Sequence, residues 1–154
     1  MGLFSRRKKT EDSVAPEGAP SEDTFRALDE DESAFIAGQL TRLDDMSIDI
    51  GDPVAIGAAY DRLLADWAAA PEDERSNPTP LINLIGVALG QHLVQVAAME
   101  WGIASDEFGV DLALRDEKTD WMTYPISSVA KRWAEQEEGS FIPEFVDWIV
   151  SKIS

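Results

Sequence analysis

Apolar side chains recur at helical spacing from residue 31, alternate after Glu100, and return to helical spacing after Pro125. In DESAFIAGQLTRLDDM (31–46), Phe35, Ile36, Leu40 and Leu43 fall on one face behind an acidic start, which predicts an amphipathic helix. SIDIGDP breaks it, and Asp52 followed by Pro53 supplies an N-cap and a first helical turn. The helix predicted over 53–70 carries Ile56, Tyr60, Leu63, Leu64 and Trp67 on one face and stops before Pro71. A polar loop with three prolines follows, and Thr79–Pro80 opens the next helix. LINLIGVALGQHLVQVAAM (81–99) runs nineteen residues without a charge, long enough to span a membrane. Asn83, Gln91, His92 and Gln95 interrupt it, and its flanks carry Glu72, Asp73, Glu74 and Glu100 instead of orienting bases. The stretch reads as the buried central helix of a soluble domain. Gly86 and Gly90, four residues apart, lie on nearly one side and would let another helix or a sheet approach closely.

Three short alternating segments follow: EWGIASD, GVDLALR and TDWMTYP. In the second, Val110, Leu112 and Leu114 face one way, while Asp111, Ala113 and Arg115 face the other, toward solvent. In the third, Trp121 and Tyr124 fall on opposite faces, so one of them is expected in the core. Turns at Asp106–Gly109 and Asp116–Lys118 join the segments into an antiparallel meander. PISSVAKRWAEQEE (125–138) resumes helical spacing, with Ile126, Val129, Ala130 and Trp133 inward, Lys131 and Arg132 outward, and Gly139 as its stop. FIPEFVDWIVSKI is a final helix with Phe145, Trp148, Ile149 and Ile153 toward the core. The predicted fold is α+β: three N-terminal helices, a small three-stranded antiparallel meander, and two C-terminal helices packed on one face of the sheet.

Composition narrows the function classes. A chain of 154 residues with 44% apolar side chains and five Trp can bury a core. We expect a single domain over 25–154 behind a disordered tail over 1–24, whose Pro, Gly, Ser and acidic residues read as a linker. There is no cysteine, which removes thiolate zinc sites and thiol catalysis and fits a cytoplasmic setting. A single histidine cannot build a multi-imidazole zinc site. Residues 10–52 hold thirteen acids and two arginines, and residues 53–154 hold seventeen acids and seven bases. A body this acidic repels nucleic acid and anionic lipid, so neither is an expected ligand, and no stable membrane insertion is expected. The exception is Arg6, Arg7, Lys8 and Lys9, which with Leu3 and Phe4 could make weak contact with anionic lipid. The myristoylation pattern is not met, because Arg6 stands where it requires Ser or Thr.

Candidate chemistry is sparse. Asp45, Ser47 and Asp49 imitate the start of a calcium loop, but Ile50 and Ile56 occupy the positions of its Gly and Glu. His92, on an apolar helix, reads as a hydrogen-bonded core or boundary residue before it reads as an acid–base catalyst. Asp106, Glu107 and Asp111 around one turn, with Asp116, Glu117 and Asp120 around the next, could do carboxylate chemistry or hold magnesium through water. Turns favour Asp for backbone reasons, however, and no metal site, cofactor, phosphate-cradling loop or nucleophile elbow is evident. Lys131, Arg132 and Trp133 could form a basic, aromatic spot for an acidic peptide or phosphate group; otherwise Trp133 is core and the bases balance Glu135, Glu137 and Glu138.

From about Ala88 to Ile149, an order of short motifs is distinctive: "ALGQHL", "EW", "FGVDLALR", "YPISSVAKRW" and "FVDWI". In this order the chain resembles a bacterial, mostly actinobacterial, family known as domain of unknown function 3806. The resemblance implies a small cytoplasmic domain and brings no activity and no site residues. The expected function is therefore a non-catalytic protein-interaction module with an acidic surface and an unidentified protein partner. Two alternatives stay open: an acidic inhibitor or immunity-like protein covering a basic effector, and a carboxylate-based enzyme or metal binder at the hairpin turns.

Overall fold

Residues 24–154 are the part of the chain that the computed structural model describes; the predicted basic stretch Arg6–Lys9 and the linker predicted over 10–24 lie outside it, except for Thr24, which opens a strand. The elements run β1 (Thr24–Ala27), α1 (Glu30–Asp45), α2 (Pro53–Ala68), a short 3-10 turn (Glu72–Glu74), α3 (Thr79–Ala97), β2 (Glu100–Asp106), β3 (Gly109–Arg115), β4 (Met122–Thr123), α4 (Pro125–Ala134) and α5 (Phe141–Ile153). The fold is α+β, with all strands antiparallel in the order β1-β2-β3-β4. The expected three-stranded meander is thus extended at one edge by a strand that hydrophobic alternation did not announce. TFRA is mostly exposed and finds its partner nearly eighty residues later, Phe25 facing Ala104. At the other edge β4 keeps only Met122 and Thr123, paired with Arg115 and Leu114.

Caps and ion pairs define the first helices. Asp29 caps α1 through a reciprocal box with Glu32: each carboxylate accepts the other residue's backbone N–H at 2.8 Å. Glu32 is itself buried and accepts two hydrogen bonds from Arg26 at 2.8 and 2.7 Å, which ties β1 to α1. The Arg26 guanidinium holds the Glu32 carboxyl below its ordinary value, against the opposing effect of burial. Asp52 caps α2 by accepting the Val54 N–H at 3.0 Å, with Pro53 in the first turn as the sequence predicts.

α3 lies against α1, α2, α4, α5 and β2, and the seven residues Leu84–Gly90 are buried without a break. Its length and apolarity would suit a membrane span, yet its neighbours are the domain's own helices and sheet. The larger apolar cluster joins Leu84, Ile85, Leu89 and Leu93 of α3 to Ile56 and Tyr60 of α2, Val129 and Trp133 of α4, and Ile142 and Ile149 of α5. A second cluster joins Val87 to Ile36, Ile103, Leu112 and Ile126. Tyr60 sits edge-on to Trp133 and Phe141, with ring centroids 5.7 and 5.2 Å away. Its hydroxyl is buried with no hydrogen-bond partner among the described residues, and burial pushes its pKa up to about 12.

Three expectations change. The Asp111, Ala113 face of β3 is not open to solvent: both residues are fully buried, as are Gly102 and Ala104 beside them. These small side chains leave room for the Phe25 ring, which lies on Gly102 beneath the Arg115 guanidinium, 4.5 Å from the ring centroid. The helix expected over 125–138 ends at Ala134, because Gln136 takes a left-handed conformation. Trp148, expected inward, is 49% exposed.

The helices meet closely where glycine allows it. A Cβ on Gly57 would lie 2.5 Å from the Gly139 carbonyl oxygen, and one on Gly139 would lie 2.1 Å from that of Gly57. The Gly139 N–H also donates to Asp61 at 2.7 Å, locking the α4–α5 connection onto α2. Gly57→Ala is therefore expected to destabilise the protein by about 1–3 kcal/mol or more in urea unfolding, since backbone must move. Gly38→Ala, in α1 with open space around the new methyl, is expected to stabilise it by about 0.5–1 kcal/mol. Equal effects at the two positions would refute the close-packing argument.

The Glu32 shift sets an acid limb. A carboxyl held low in the folded state contributes stability that is complete above its unfolded pKa, near 4.5, and is lost as pH falls through the folded value. Unfolding free energies measured across that range should fall less steeply for Glu32→Gln than for the wild type. An unchanged slope would mean that the Arg26 contact has no effect on folding.

Candidate functional site

A surface groove forms beside the last turn of α3. After Ala97 the chain leaves α3 through Ala98, which holds a left-handed conformation (φ 55, ψ 32) without being glycine, and Met99 then turns into the core. Gln95, Val96, Ala97 and Ala98 form one wall of an open groove of about 460 Å3. Asp116, Glu117 and Lys118, from the turn between β3 and β4, form a second wall, and Val150, Ile153 and Ser154 of α5 form the third. Val96 is 52% exposed there. The turn is rigid for a local reason. Asp116 Oδ2 accepts the Thr119 N–H at 2.9 Å and its hydroxyl at 2.7 Å, while the Asp116 N–H donates to the Trp121 carbonyl at 2.8 Å. Past that turn Trp121 packs against Trp148 of α5 at 5.3 Å, and the Lys152 ammonium stands 5.5 Å from the Trp148 ring.

Its chemistry follows from those parts. The C-terminus of α3 carries a partial negative charge and carbonyls without intrahelical donors. Glu117 adds a carboxylate and Lys118 a base, the Asp116 carboxylate is engaged by Thr119, and Val96, Val150 and Ile153 supply apolar surface. The groove offers no nucleophile beside a base, and no group of three His, Asp or Glu side chains among the described residues could hold a metal ion.

The acidic residues singled out in the sequence do not converge. β3 separates the turn of Asp106 and Glu107 from that of Asp116 and Asp120 by roughly 20 Å, given the rise per residue of a strand. Asp106 accepts the Phe108 N–H at 2.8 Å, and Glu107 is exposed at the hairpin tip. Asp111 is buried and accepts the Ser127 hydroxyl at 2.8 Å, fixing β3 to the first turn of α4. Asp120 is exposed, with its carboxylate 4.0 Å from Arg115. Nor do Lys131, Arg132 and Trp133 share a surface. Trp133 is in the core, Arg132 pairs with Glu137 at 2.9 Å and lies over Phe141 at 5.1 Å, and Lys131 alone is exposed. His92 is buried, its Nδ1–H donating to the Ile50 carbonyl at 2.9 Å, which is the core role weighed for it. Sequence reasoning missed the groove, because three segments far apart in the chain build it. The one available signal was the uncharged end of α3, where Val96 lies off the buried face.

The geometry defines an α+β domain of five helices and a four-stranded antiparallel sheet, in which α5 packs on α2 and α3, not on the sheet as expected. Residues 61–145 match the family model described as "Domain of unknown function (DUF3806)", and the chain belongs to that family. The match begins at Asp61 in the second half of α2, well before Ala88, and ends at Phe145 in the first half of α5. No curated protein and no solved structure matches the chain.

Proposed function

We propose that this domain is a non-catalytic protein-interaction module acting in the cytoplasm through an acidic surface. The observation that carries the reading is an uncompensated charge around exposed apolar side chains. Residues 24–154 hold twenty-five acids against nine bases, and Val96 and Trp148 stand half-exposed among them. Several of the bases are engaged within the fold. Arg26 pairs with Glu32, Arg115 with Glu100 and Arg132 with Glu137, and Arg75 donates to the carbonyls of Ala68 and Ala70. The remaining field is negative and favours association with a basic surface, as rate enhancement and as selection against acidic partners. A half-exposed Trp is the kind of side chain that anchors such contacts. A basic effector held inactive by this surface is a special case of the same reading.

The test is affinity capture from a lysate of the source organism with amino-terminally tagged protein, washed at low and at high salt. One stoichiometric partner retained at low salt and released at high salt is expected. A lysate that yields no partner under either wash contradicts the proposal and turns attention to small ligands.

A further inference from the structure

We propose that residues 3–9, LFSRRKK, dock within the same chain on the acidic, aromatic surface where Trp121 meets Trp148 of α5. The contact needs no second protein, so it stands or falls apart from the interaction-module reading. Trp148 is 49% exposed and is the one aromatic among the exposed large apolar side chains of the described residues. Glu144, Trp148 and Lys152 follow at four-residue spacing on one face of α5, and exposed Asp147 adjoins Trp148 in the chain. Asp120, 82% exposed, adjoins Trp121. Three carboxylates thus flank the Trp pair against one base, Lys152. Residues 3–9 carry the complement: the apolar side chains of Leu3 and Phe4, then Arg6, Arg7, Lys8 and Lys9. Such bases pair with carboxylates and stack on Trp faces, while Leu3 and Phe4 would cover the exposed indole. Glu11 and Asp12, next in the chain, could neutralise two of the bases but would leave Leu3 and Phe4 in water. The distances permit the contact. Thr24 pairs with Ser105, Ser105 with Val110, and Met122 with Arg115, so Thr24 and Met122 stand three strand spacings and five residues apart. That places Trp121 roughly 20–25 Å from Thr24. The fifteen residue steps from Lys9 to Thr24, of linker-like composition, span on average about 20 Å. A tether whose mean length matches the gap holds its far end at millimolar effective concentration, enough to half-occupy a contact of about 1 mM affinity.

The chain has no cysteine, so Ser5→Cys gives a unique site for a nitroxide spin label on the full chain. Amide peak intensities are compared before and after the nitroxide is reduced. Intensities at residues 119–122 and 144–152 are expected to fall to roughly half or less, the loss that half-occupancy brings. They are expected to recover at high salt, and in a variant carrying Arg6→Glu, Arg7→Glu, Lys8→Glu and Lys9→Glu together. Trp148→Ala, at a half-exposed position, is expected to abolish the local loss. Glu144→Lys, exposed on the same helix face, serves as a second domain variant should Trp148→Ala disturb α5. Losses confined to β1 and the β2–β3 turn beside the tether would overturn the proposal, as would losses unchanged by the charge reversal. Mixing the nitroxide-bearing chain with an isotope-enriched chain that lacks the label tests whether the contact is intrachain. Losses in the enriched chain would mean that a second copy supplies the segment, which also overturns the proposal. A partner found or missed in the lysate capture bears on the interaction module alone.

Discussion

Helix α3 can serve as the axis of this domain because Gly86 and Gly90 let its neighbours come unusually close. A Cβ on Gly86 would lie 2.7 Å from the Ile126 Cα, and one on Gly90 would lie 2.1 Å from the Trp101 ring. The start of α4 and the first strand of the hairpin therefore rest directly on the α3 backbone. The Trp101 indole N–H donates to Gln91 at 3.0 Å, so a polar residue of α3 holds the ring over its own neighbouring glycine. That explains how a charge-free helix of nineteen residues can carry Gln91 and His92 near its middle. Each polar group has a protein partner, and burial costs less when the hydrogen bond is made.

Much of this was legible in the chain. The five helices follow from apolar spacing, from the Asp52–Pro53 start and from the Pro71 stop, because helix signals are local. The α3 glycines were readable as points of close approach. What escaped were features decided by distant segments. Four residues such as TFRA carry little signal, and only pairing with β2 makes them a strand. Asp111 looks like the polar half of an alternating strand, yet Phe25, Arg115 and Ser127 gather over that side of the sheet. The end of α4 moved for a backbone reason at Gln136, a residue with no marked preference for the left-handed region.

The candidate site shows the same division. Individual residues were visible, but their grouping was not. Turn aspartates that seemed to form a cluster are separated by the length of β3 and occupied with their own turns, as Asp116 is with Thr119. Trp133, one of three residues of a possible binding spot and also read as a core residue, lies in the core against the rings of Tyr60 and Trp67. The groove, by contrast, is lined by three segments far apart in the chain, one of them the end of α3. A helix end is a chemical feature of the backbone, with its own charge and acceptors, and no side-chain motif announces it.

Taken together, the α3 axis fixes the core, and its last turn projects Val96, 52% exposed, from a strongly acidic domain. The central claim is that this end of the molecule is where another protein sits. Photo-crosslinking tests it most directly, with a benzophenone amino acid replacing Val96 in one variant and Val54 in another, irradiated in a lysate of the source organism. Both positions are exposed, so reagent access does not separate them. A discrete adduct from position 96 that disappears at high salt, with none from position 54, is the expected result. Adducts of equal yield from both positions, or none from position 96, would contradict the account.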